Sequence, residues 1–197
     1  MIALHAVFST YGFWLPNDPR GSGSKYVGSR AIYSAAGRAT KVTTRRSVAA
    51  KPHDASLREE GKQALKRRPV VLNGLQARAV ARGFDTAIQQ SGHRLLACAV
   101  LPDHVHIVVA AGRYKPKQVV GHLKRNASQR LAAEKQHPFE ASFRRDGKPP
   151  SCWGEGSWTV FLDTTDDMHR TIRYVDENPL KEGKPRQRWW FVERFDG

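Results

Sequence analysis

HRLLACAVLPDHVHIVVA, residues His93 to Ala110, is the stretch on which the fold turns. Two apolar runs, His93 to Val100 and His104 to Ala110, flank Leu101-Pro102-Asp103, and a Pro-Asp pair between apolar runs favours a tight turn. The stretch is expected to be an antiparallel hairpin. Upstream, Leu75, Ala79, Val80, Phe84, Ala87 and Ile88 recur at helical spacing between Asn73, a good N-cap, and Gly92, a helix stop. Downstream, Pro116 to Lys135 places Val119, Val120, Leu123, Ala127 and Leu131 on one helical face.

The outer elements complete the order. Ala3 to Ser9 (ALHAVFS) alternates as a short strand, Ser157 to Leu162 (SWTVFL) reads as a fourth, and Asp166 to Glu177 reads as a last helix closed by Pro179. The sum is βαββαβ plus one helix. That is an α+β, ferredoxin-like antiparallel sheet with helices on one face and a C-terminal helix in addition, in one domain spanning 1–197. Between Tyr11 and Leu72 lies a Gly-, Ser- and Pro-rich insertion with 13 Lys+Arg against 4 Asp+Glu, expected to be irregular and to include a phosphate-contacting arm around Arg45-Arg46 and Lys66-Arg67-Arg68. For any single residue there, a solvated charged loop is the equal alternative.

Charge narrows the partner. The 197 residues carry 33 Lys+Arg against 18 Asp+Glu, a net +15, which exceeds what solubility requires and points to a polyanion, nucleic acid first. No apolar run approaches the ~20 residues of a membrane span, and MIALHAVFSTYGF has neither a basic leader region nor a cleavage site. The expectation is a cytoplasmic protein with no membrane partner. Cys98 and Cys152 lie in separate contexts without a Cys-x-x-Cys pair, so they read as free thiols, which excludes a disulfide scaffold and a cysteine-rich zinc site.

His104-Val105-His106 carries the chemistry of the hairpin. Residues i and i+2 of a strand share a face, so the two imidazoles project together while Val105 and Ile107 point into the other layer. Alone, H-x-H reads first as a hydrogen-bonded pair on a half-exposed face and second as half of a metal site. Tyr174 and Asn178 in RYVDENP are four apart and share a helix face, although Asn178 before Pro179 also suits a C-terminal cap and Tyr174 an amphipathic residue at the sheet surface. Together the four form a possible metal-plus-nucleophile constellation in basic surroundings.

HAVFSTYGFWLPNDPRG, PDHVHIVV, WGEGSWTVFL and RYVDENPLKEG, in this order, resemble the HUH single-tyrosine transposases of the insertion-sequence type, most closely the REP-associated tyrosine transposases (RAYT). The likeness covers most of the chain but not the basic part between about Ser22 and Leu72. It implies a metal-dependent transposase and nicking endonuclease of single-stranded DNA, with Tyr174 as nucleophile, a 5′-phosphotyrosine intermediate, and His104, His106 and Asn178 holding Mg²⁺ or Mn²⁺. It further implies a hairpin-forming DNA repeat as target, a nucleoid-associated location and a possible homodimer.

Single strands are held by a cationic groove and stacking aromatics. Lys117, Lys124, Arg125 and Arg130 on the second helix, Arg144 and Arg145 in the polar stretch after it, and Arg173 beside the tyrosine are the expected DNA contacts, with Trp153 in its Gly-flanked loop as stacking platform. Trp158 is expected to be buried in its strand. Trp14 and the pair Trp189-Trp190 also lie near basic residues. Two other readings stand beside the transposase: a catalytically silent DNA-hairpin binding protein, and a metal-dependent phosphoesterase that uses water in place of tyrosine. Charge and aromatics do not separate DNA from RNA.

Overall fold

The computed structural model describes residues 1–22, 24–42, 44, 48, 51–140 and 147–195. Its elements are β1 (Ala3–Ser9), α1 (Arg30–Ala36), α2 (Ala55–Gln63), α3 (Gly74–Ser91), β2 (Leu95–Val100), β3 (His104–Ala110), α4 (Pro116–Ala133), β4 (Trp158–Leu162) and α5 (Thr165–Lys181). The strands form one antiparallel sheet in the order β2-β3-β1-β4, with β1 and β3 internal.

Alternation along the strands sorts the two faces. Leu4, Ala6 and Phe8 of β1 with Val105, Ile107 and Val109 of β3 meet α3 and α4 in the main core. Ala3, Val108 and Leu162 face the other way and pack with Met168 and Val175 of α5 in a smaller core. Helices therefore cover both faces, the added C-terminal helix taking the one that α3 and α4 leave open. In β2 the register shifts between Leu95 and Ala97, so the adjacent Leu96 and Ala97 both enter the α5 side.

Helix ends follow local chemistry. Asn73 caps α3 in a reciprocal box with Gln76, and Gly92 closes it in the left-handed region at φ 67°. α3 and α4 approach closely at Gly83, where a Cβ would lie 2.5 Å from the Cα of Ala127. Thr164 caps α5 by accepting from the backbone N–H of Asp167. This helix does not stop before Pro179 as expected; it runs to Lys181 with Asn178 and Pro179 buried inside it. Pro179 lies two residues from the helix end, so its missing N–H leaves only the Val175 carbonyl without its usual donor, and the helix stops soon after.

The insertion corrects a second expectation. It contains α1 and α2, packed on each other and capped by Ser29 and Asp54. Both are short, seven and nine residues, and α2 is polar, so apolar periodicity did not reveal them. The far end of the insertion is tied back to the end of β1 and to the β2–β3 turn: Thr10 Oγ1 donates to the Val70 carbonyl at 2.7 Å, and the Leu72 N–H donates to the Pro102 carbonyl at 2.6 Å. Arg45 and Arg46, proposed for a phosphate-contacting arm, lie outside the described residues.

Candidate functional site

β3 places His104 and His106 on the face covered by α5, opposite Val105 and Ile107. Their rings stand 4.9 Å apart at 72°. Each Nδ1 has a partner. The Asp103 carboxylate accepts from His104 Nδ1 at 2.6 Å, and His106 Nδ1 lies 3.1 Å from Nε2 of His5 on β1. Nε2 is then the remaining ring nitrogen on each imidazole, the disposition of histidines that bind a cation through Nε2.

Burial keeps His5 and His106 uncharged. Desolvation lowers the His5 pKa to about 4, and it pushes His106 well below the ordinary histidine value, helped by His104, His5 and Lys181. Neutral imidazole is the form that ligates a metal.

α5 supplies the other half. The Tyr174 ring stands 5.6 Å from the His106 ring and 6.1 Å from the His5 ring, edge-on to both. It is 38% exposed, so a large substrate can reach the phenol although His106 beneath it is 5% exposed. One turn later Asn178 is buried. Lys181 places its ammonium 4.1 Å from the centre of the Tyr174 ring. Glu182, the next residue, brings a carboxylate oxygen within 4.8 Å of ligand atoms of Asp103 and His104. Two carboxylates converging on an imidazole, with neutral histidines beside them, are a donor set that fits a divalent cation.

The start of the insertion closes one side. Phe13 stacks on His104, rings 5.3 Å apart and 7° from parallel, and Arg20 lies over Phe13 while paired with Asp18. His5, Phe13, Asp103, Lys181 and Glu182 were all missed by the sequence reading. For His5 a signal existed, since strand parity in the sheet puts it on the His106 face; the others depend on tertiary approach.

The proposed DNA contacts separate. Arg173 is exposed beside Tyr174, whereas Lys117 and Arg125 are exposed on α4, across the sheet from the histidines. Arg130, on the same helix, pairs with Glu134 and donates to Thr86. Lys124 is spent inside the protein: its ammonium donates to the carbonyls of Gly154 at 2.8 Å and Gly156 at 2.7 Å, and burial lowers its pKa to about 8. Trp153 is no stacking platform. It is 5% exposed, packs on Phe8, and donates Nε1–H to the Lys124 carbonyl and Ser128 Oγ. Flanking glycines suggested an open loop, but Gly154 lies so close to Ser9 that the segment is pressed onto the sheet. Trp158, expected to be buried, is only partly so because β4 is an edge strand; it packs edge-on against His5 at 5.7 Å. Trp14 and Trp190 are the exposed tryptophans. Arg144 and Arg145 lie outside the described residues. Cys98 and Cys152 are buried free thiols, and burial pushes Cys152 up to about 11.

Fold and site together define a class, an antiparallel-sheet domain that sets paired imidazoles against a helix-borne phenol across one sheet face. The chain belongs to the IS200-like transposase family, whose model matches residues 63–178, from the end of α2 to Asn178. It is thereby a transposase-type DNA-processing protein. No curated protein matches the sequence. Among solved structures it is similar to a REP-associated tyrosine transposase bound to a REP hairpin, at 17% identity and TM-score 0.44, over 60% of this chain and 64% of that one. It is also similar to a protein assigned as a transposase from Deinococcus radiodurans R1, at 13% identity and TM-score 0.43, over 93% of this chain and 92% of that one. Among the described residues no helix is long and apolar enough to cross a membrane.

Proposed function

We propose that the protein is a metal-dependent nicking and rejoining enzyme of single-stranded DNA that works through a 5′-phosphotyrosine on Tyr174, at hairpin-forming repeats. The observation that carries this reading is the half-exposed Tyr174 phenol set 5.6 Å from the buried, neutral His106 ring. Tyr174 Oη attacks the scissile phosphorus and loses its proton to solvent. The bond from phosphorus to the 3′ oxygen breaks, and that oxygen leaves as a 3′-hydroxyl after taking a proton from solvent. One phosphoester replaces another, so a second strand end can displace the tyrosine and rejoin DNA without ATP.

The Lys181 ammonium over the ring offers positive charge to the incoming phosphate. His104, His106 and Asn178 would hold the divalent ion, Mg²⁺ or Mn²⁺, with Asp103 orienting His104 and Glu182 adding negative charge. Bound there, the ion supplies Lewis-acid polarisation of the phosphate. The +15 charge supplies affinity for the strand, with Arg173 nearest the chemistry and Lys117, Arg125 and Arg130 farther off.

The test is incubation with a single-stranded and hairpin oligonucleotide library and Mn²⁺ or Mg²⁺, read on a denaturing gel. A covalent adduct is expected, lost in Tyr174→Phe with DNA affinity within a few-fold of wild type. Cleavage without adduct would make the protein a phosphoesterase that uses water. Binding without cleavage would make it a hairpin-binding protein.

A further inference from the structure

We infer that His5 is a positioning residue that fixes the tautomer of His106: it accepts a hydrogen bond from His106 Nδ1–H and so reserves His106 Nε2 for a cation. The inference rests on the metal-centre reading above and adds a residue on β1 that the H-x-H motif does not contain.

The contact allows two directions, and they have opposite consequences. His5 Nε2 and His106 Nδ1 are 3.1 Å apart, so one nitrogen carries the shared proton. If His5 donates, His106 holds its own proton on Nε2 and that nitrogen has no lone pair for a metal. If His106 donates, Nε2 is free to ligate. Asp103 resolves the same choice for His104, because a carboxylate can only accept. His5 does for the second imidazole what Asp103 does for the first, with a neutral acceptor in place of an anion.

The surroundings make His5 the means of this choice. His5 and His106 are 6% and 5% exposed, and their rings lie 5.3 Å apart at 14°. Trp158 and Tyr174 meet His5 edge-on at 5.7 and 6.1 Å, which limits the room for water to replace it. β1 and β3 are neighbours at the sheet centre, with Val7 opposite His106 and His5 opposite Val108, so the sheet register holds the two rings in a diagonal pair.

Two measurements decide it. Nitrogen-15 NMR of the imidazoles in the full chain, purified free of metal, reads the tautomer directly: His106 is expected protonated at Nδ1 and bare at Nε2. A proton on Nε2 overturns the inference. Mn²⁺ titration followed by electron paramagnetic resonance should show His5→Leu binding about 10- to 100-fold more weakly than wild type. His5→Gln, whose Oε1 reaches near the place of Nε2 and can only accept, should recover affinity to within a few-fold. Equal affinity in His5→Leu and wild type overturns the role, and it does so without touching the Tyr174 adduct. If wild type binds no Mn²⁺, the metal reading falls instead, and the NMR result still decides the tautomer.

Discussion

Phe13 lies parallel to His104, 5.3 Å between ring centres and 7° between planes, although 91 residues separate them in the chain. The insertion that follows β1 therefore shapes the histidine centre as well as adding charge. Arg20, braced by Asp18, places its guanidinium 5.8 Å from the centre of the Phe13 ring.

Phe13→Ala removes the ring that stacks on His104 and opens the imidazole to water. Adduct formation should slow by about tenfold, roughly the 1.4 kcal/mol expected for one aromatic contact. Phe13→Tyr should retain the rate. The check is a single-turnover time course at saturating DNA; an Ala variant as fast as wild type would mean that the stack serves stability alone.

The hairpin His93 to Ala110, the caps Asn73 and Gly92, and the shared face of His104 and His106 were legible because each depends on neighbours within a few residues. Asp103 was legible as a turn residue and not as the partner of His104, since its role appears only when the turn closes. Lys124 and Trp153 misled for the opposite reason. Basic and aromatic residues read as ligand contacts in sequence, yet here the ammonium ties down the Gly154 and Gly156 carbonyls and the indole fills the core under Phe8. A local pattern shows which groups a residue offers, and only packing shows whether those groups are already taken. α5 beyond Pro179 and the helices of the insertion were hidden because tertiary support outweighed the local signals.

Gly83→Ala should destabilise the fold even though alanine is the better helix former. The added Cβ would lie 2.5 Å from the Ala127 Cα and 2.7 Å from its nitrogen, backbone atoms that move only if α4 moves. Overpacking of this kind costs about 1–3 kcal/mol, more than the ~1 kcal/mol gained in propensity. Denaturant unfolding should show a lower midpoint. An unchanged midpoint would mean that α3 and α4 separate without cost.

Acid sensitivity should include a contribution from His93. Its Nε2 lies 3.1 Å from His122 Nδ1, and burial, with His122 and Arg113 nearby, lowers its pKa below the usual 6.5. The folded state therefore resists a proton that the unfolded chain accepts. This contribution to stability is fully present above pH 6.5 and is lost as the pH falls from there towards the folded-state value. His93→Gln should flatten the slope of unfolding free energy against pH on the acid side, and parallel slopes for the two proteins would refute the assignment.

Salt dependence separates the surface cations from the structural one. Each exposed Lys or Arg that neutralises a phosphate of a single strand contributes about −0.7 to the log–log slope of affinity against salt. Lys117 and Arg125 are exposed on α4, so if the strand follows that helix, Lys117→Gln with Arg125→Gln should flatten the slope by about 1.4 units. Lys124→Met should leave the slope unchanged and lower stability by about 1 kcal/mol, because it leaves the partly buried Gly154 carbonyl without its donor while the exposed Gly156 carbonyl turns to water. A slope that stays the same in the α4 double variant and flattens in Arg173→Gln would route the strand along α5, on the face that holds Tyr174. A flattened slope in Lys124→Met would show that its ammonium leaves Gly154 and Gly156 to meet DNA.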